Sequence, residues 1–84
     1  MSYAIYLKRS VEKELDHLPS DIYKKIIHKI ISLKDNPISR GFKKLTGKDG
    51  YRLRVRDYRI LYTINDEDKR IEVYSVAHRK EVYR

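Results

Sequence analysis

The sequence predicts an α+β fold of order β-α-α-β-β-β, with a further edge strand possible, in which a helical hairpin lies on one face of a mainly antiparallel twisted sheet. Three observations carry this. A short β-branched and aromatic run opens the chain at residues 3–7. Two segments with apolar residues at helical spacing follow it. From Tyr51 the pattern switches to period two, interrupted only by short turns, which implies antiparallel hairpins.

Each element has its own signal. Ser10 reads as an N-cap for a helix over residues 11–18, whose Val11, Leu15 and Leu18 share one narrow face. Pro19 interrupts, and Ser20 reads as the cap of a second helix. There Ile22, Tyr23, Ile26, Ile27, Ile30, Ile31 and Leu33 make a broad apolar stripe, with Lys24, Lys25, His28, Lys29 and Ser32 mostly away from it. Asn36-Pro37 stops that helix, because proline disfavours the helical conformation in the residue before it. Residues 38–50 read as irregular, with an edge strand near 42–45 and a turn between Gly47 and Gly50. Strands are expected at 51–56, 58–64 and 71–76, joined by turns at Asp57 and at 65–68. The tail from His78 to Arg84 reads as one helical turn or an irregular end.

A chain of 84 residues supports a single domain, residues 1–84, with a small core and no room for a separate cofactor domain. With no Cys, a disulfide, a thiolate metal site and a Cys nucleophile are excluded. The sequence has no apolar run near the ~20 residues that cross a bilayer and no secretion signal at its start, so a cytoplasmic protein without a membrane partner is expected. The 20 Lys and Arg exceed the 12 Asp and Glu to give a net charge of +8, and there are 8 Tyr but 1 Phe. That balance suits nucleic acid or an acidic protein equally.

The charge is uneven. Between residues 43 and 59 stand Lys43, Lys44, Lys48, Arg52, Arg54, Arg56 and Arg59 against Asp49 and Asp57. On a strand Arg52, Arg54 and Arg56 form a row opposite Tyr51, Leu53 and Val55. If helices cover the apolar face, the row looks outward and a polyanion would relieve its repulsion. A solvated sheet face with charges protecting an edge is the plainer account. Guanidinium, which grips two phosphate oxygens at once, favours phosphate. Other signals fail. Gly47-Lys48-Asp49 has the wrong spacing and the wrong following element for a phosphate loop. His17, His28 and His78 lack metal-ligand spacing, and His17 and His28 fall on solvated helix faces.

Taken in order, Leu15-x-x-Leu18-Pro19, Asn36-Pro37, Leu45-Thr46-Gly47, the run Tyr51-Arg52-Leu53-Arg54-Val55-Arg56-Asp57-Tyr58-Arg59-Ile60-Leu61-Tyr62 and the ending Val76-Ala77-His78-Arg79-Lys80-Glu81-Val82-Tyr83 resemble the RelE/ParE toxin superfamily, the toxin halves of prokaryotic toxin–antitoxin pairs. The resemblance spans nearly the whole chain. Basic groups on the central strands and a C-terminal Tyr favour the RelE branch. That branch implies a metal-independent endoribonuclease without cofactor, cleaving mRNA in the ribosomal A site and silenced by an acidic RelB-like antitoxin. Operator DNA would be reached only through that antitoxin. The alternatives are a ParE-like gyrase inhibitor and an inactive member that only binds its antitoxin.

By position, the resemblance assigns Arg59 and Arg79 to the phosphate and the transition state. Arg52 and Arg54 would bind the RNA backbone and orient the nucleophile. Tyr83 would stack on a base or orient the attacking group. Lys43, Lys44, Lys48 and Arg56 are further RNA-binding candidates. Well-known family members carry Lys where Arg52 and Arg54 stand, and Arg, with a pKa above ~12, does not ordinarily give up its proton. The general base therefore stays open between His78, whose type titrates near neutrality, and catalysis by alignment and charge alone, with a structural His78.

Overall fold

The computed structural model describes residues 3–37, 42–44 and 50–78, the segment 42–44 as backbone. Its elements are β1 (Ala4–Leu7), α1 (Arg9–Asp16), α2 (Ser20–Ser32), β2 (Phe42–Lys44), β3 (Tyr51–Val55), β4 (Tyr58–Asn65) and β5 (Arg70–His78). The strands form one sheet in the order β1-β5-β4-β3-β2. β1 runs parallel to β5, and every other pairing is antiparallel. The expected α+β order and the mainly antiparallel sheet are both present.

The helix starts differ from the sequence expectation. α1 begins at Arg9, with Lys8 in the capping position and Ser10 inside the first turn. The chain leaves β1 so directly that the Lys8 carbonyl accepts from the N–H of both Val11 (2.8 Å) and Glu12 (3.1 Å). α2 begins at Ser20 rather than after it, because Pro19, held extended at φ −55° and ψ 146°, supplies the first carbonyl to Tyr23 N–H at 2.9 Å. Regular helix ends at Ser32, and tightened turns carry the chain to Asn36-Pro37.

Both helices bury apolar residues on the same face of the sheet, but Tyr23 and Ile31 of the expected α2 stripe stay exposed, because they lie at the stripe's edges, away from the sheet. Val11 and Leu15 of α1 and Ile26 and Ile30 of α2, with Leu33 just beyond, meet Leu53, Ile60, Tyr62, Ile71, Val73 and Val76. Each such side chain contributes about 1.5–3 kcal/mol when fully buried. Tyr62 is the largest, and its hydroxyl donates to the Pro37 carbonyl at 2.8 Å while its ring stacks on Tyr51, centroids 5.7 Å apart. Burial, with Tyr51 beside it, pushes the Tyr62 hydroxyl up to about 12.

Alternation is broken once. Leu61 pairs with Ser75 but Tyr62 with Val73, so Tyr74 is an extra residue in β5. The bulge lets Val73 and Val76, an odd number of residues apart, both reach the core.

Candidate nucleic-acid interface

The sheet face away from the helices carries the charge. Leu53 is buried among the helices, so Arg52 and Arg54 project to the other side of β3. On β4, Ile60 is buried toward the helices and Arg59 lies opposite it. Register places Arg54 directly across from Arg59, and Lys43 of β2 directly across from Arg52. Like charges directly opposite destabilise a sheet pair, by about 0.2–1 kcal/mol, and Arg54 and Arg59 are so placed. Arg59 is 8% exposed and forms the floor, Arg52 is half-buried and Arg54 is exposed. Beyond Arg59 the next position across is the small Ala77 of β5.

The other end of the same face is neutralised. Arg70 on β5 pairs through Nε with Glu72 at 3.2 Å, approaches Asp68 at 3.9 Å, and lies 5.3 Å over the Tyr6 ring. A cavity of about 540 Å³ there is lined by Thr63, Asn65, Asp66, Glu67, Arg70 and Glu72. Its acids repel phosphate. Among the described residues no ion pair reaches Arg52 or Arg54. The open face is thus polarised, cationic over β3 and β4 and internally compensated where β5 meets β1.

The sequence-derived site residues divide accordingly. Arg52, Arg54 and Arg59 come together as expected. Arg56 does not extend their row: it occupies the β3–β4 turn with φ 55°, exposed, since a two-residue hairpin turn demands a left-handed residue where the expected strand would have continued. Lys43 registers with Arg52, whereas Lys44 registers with Tyr51. His78 pairs with Tyr58 on the helix-facing side, their rings edge to face at 5.1 Å, so it does not join the arginines. Lys48, Arg79 and Tyr83 lie outside the described residues. No group of three or more metal-ligating side chains occurs among the described residues, and no described helix is long and apolar enough to cross a membrane.

One neighbourhood was missed in the sequence. Lys24, Lys25, His28 and Lys29, read there as a solvated helix face, line a groove with Arg54 and Val55. The signal was present as like charges spaced i, i+4 along one side of α2.

Comparison with known proteins agrees with this geometry. The family model described as the ParE toxin of the type II toxin–antitoxin system parDE matches residues 5–83. The putative toxin RelE1 of Methanocaldococcus jannaschii is 31% identical over 88 residues, covering 100% of this chain and 98% of its own. The archaeal RelE–RelB complex from Pyrococcus horikoshii superposes with a TM-score of 0.85 at 32% identity, over 94% of this chain and 97% of the other. Isolated RelE from Escherichia coli gives 0.81 at 29% identity, over 98% and 92%. With a match along nearly its whole length and a helix-free cationic sheet face, the chain belongs to the RelE/ParE superfamily of type II toxin–antitoxin toxins, on its RelE-like branch.

Proposed function

We propose that the chain is a metal-independent endoribonuclease that cuts mRNA in the ribosomal A site and so inhibits translation. The observation that carries this reading is the gathering of Arg52, Arg54 and Arg59 on the sheet face away from the helices, with Arg54 set directly across from Arg59. A phosphate meeting this face would find several guanidinium groups within one strand pair.

The chemistry is attack of a ribose 2′-OH on its own 3′ phosphate. The O–P bond forms as the bond to the 5′ oxygen breaks, leaving a 2′,3′-cyclic phosphate and a 5′-OH, with one proton removed and one supplied. Arg59, fixed in the floor, meets the charge that grows on the phosphoryl oxygens. Arg54 and Arg52 grip the backbone to either side and align the attack. Arg79 is assigned to the same phosphate, and Tyr83 to stacking on a base or orienting the nucleophile. His78, packed against Tyr58 on the far side of the sheet, is assigned a structural role, so rate comes from alignment and charge stabilisation.

A RelB-like acidic antitoxin is the proposed partner, since it would neutralise the face the RNA needs. The relatives solved as RelE–RelB complexes support it. A cytoplasmic site of action follows from a ribosomal target.

Primer extension on translated mRNA tests the assignment. Wild type should cut at ribosome-paused codons, and Arg79→Ala and Tyr83→Phe should cut far less. Absence of cutting by wild type removes the nuclease reading; undiminished cutting by the variants removes only the residue roles. The ParE description of the matching family model favours a second reading, gyrase inhibition. A supercoiling assay in which gyrase is inhibited while mRNA stays intact would establish that reading instead.

A further inference from the structure

Arg54 aside, the groove between α2 and β3 has no part in the proposed cleavage chemistry, yet it is a second concentration of positive charge among the described residues. Its volume is about 530 Å³, and it is lined by Lys24, Lys25, His28, Lys29, Arg54 and Val55. Among the described residues no acid lines it. Lys25 and Lys29 stand one helical turn apart, as do Lys24 and His28. The like-charged Lys25–Lys29 pair costs the helix about 0.2–0.5 kcal/mol. Lys29 is half-buried, its stem packed at the groove rather than free in solvent. Arg54 belongs to both places: it lines the groove and stands directly across from Arg59 in the cleft.

We propose that this groove is a second phosphodiester-binding track, which takes the RNA backbone as it leaves the arginine cleft and passes around β3 onto α2. The inference rests on the endoribonuclease reading for the identity of the ligand. It adds to that reading a site several nucleotides from the cut bond. The occupant is a single strand, because Arg54 joins the two places: it stands directly across from Arg59 and lines the groove with Lys25 and Lys29. An acidic peptide would find the same charges, but only a chain already held at Arg54 and Arg59 gains from a track continuous with them.

The test is binding of fluorescein-labelled 2′-O-methyl oligouridylates, which lack the attacking hydroxyl, to the full-length chain by fluorescence anisotropy. One probe has about twelve nucleotides and reaches beyond the cleft; the other has about three and does not. Lys25→Gln/Lys29→Gln should weaken the long probe about tenfold and lower its salt slope by about 1–1.5, near 0.7 for each single-strand phosphate no longer neutralised. The short probe should bind as to wild type. Lys25→Arg/Lys29→Arg should restore the long probe. Lys13→Gln/Lys34→Gln, equal in charge but away from the groove, should leave its slope unchanged. Thermal unfolding of each variant reports whether the fold is intact, and the arginine pair keeps the test decisive if the glutamine pair is unstable.

An unchanged salt slope for the glutamine pair overturns the proposal, as does equal loss in the Lys13/Lys34 control. Loss of affinity for an acidic peptide with none for the long RNA also overturns it. Cleavage is read separately. Wild type that binds the long probe through the groove but leaves translated mRNA uncut sinks the nuclease reading and spares the track. Normal cutting with a groove indifferent to RNA sinks only the track.

Discussion

The two faces of one five-stranded sheet obey opposite rules. Toward the helices, Leu53, Ile60 and Tyr62 are nearly or wholly excluded from water, and neighbouring side chains favour one another. On the reverse, Arg52, Arg54 and Arg59 are neighbours that repel, set by the same register. The helix side holds the fold together, and the arginine side weakens it slightly. A residue's parity along its strand therefore says which task it serves.

That contrast can be broken from either side. The largest effect should come from Arg59→Ala, which removes a preorganised cation from the floor; mRNA cleavage should fall about 10²–10³-fold, measured by primer extension. Arg59→Lys, which keeps a charge but not the bidentate geometry, should recover part of it. Next is Ile60→Ala, one residue along and on the other face. It should cost about 2–5 kcal/mol of stability in a denaturant titration, with any loss of cleavage tracking the unfolded fraction.

A smaller and more discriminating effect is expected of Arg54→Gln. Losing one member of a directly opposed like-charged pair should raise stability by up to about 1 kcal/mol while weakening RNA binding. A variant destabilised by Arg54→Gln would contradict the contrast between the faces. The smallest is Tyr62→Phe, which removes the hydrogen bond to Pro37 and should cost about 1 kcal/mol near neutral pH. The Tyr62 hydroxyl is raised in the fold from 10.0 to about 12. Its contribution is therefore complete below pH 10 and is lost as pH climbs toward 12. The stability difference between wild type and Tyr62→Phe should shrink, then reverse, over that interval.

Much of this was legible from residue order. Period-two alternation in 51–55 gave the arginine face directly, because Leu53 and Arg54 cannot share a side. The helical stripe of α2 gave its buried edge in the same way. The helix starts were less legible: Ser10 and Ser20 are good caps by type, but an extended Lys8 and an extended Pro19 had already turned the chain. Arg56 was misplaced because its neighbours alternate so regularly that nothing local announces a turn one residue early. His78 was drawn toward the arginines by closeness in sequence to Arg79, whereas strand parity sends it to Tyr58. The groove on α2 was only half legible: the lysine spacing along the helix can be read, but the groove also needs Arg54 and Val55 of β3 brought against it.

The single surplus residue in β5 ties these matters together. Because Tyr74 shifts the strand's phase midway, Ala77 rather than a bulky neighbour comes to rest at the side of Arg59, while Val76 and His78 turn inward. The neighbour of Arg59 on β5 and the filling of the interior are thus set by one count of residues. A lineage of this sequence cannot lengthen or shorten that strand by one without exchanging its charged terrain for its hydrophobic ballast.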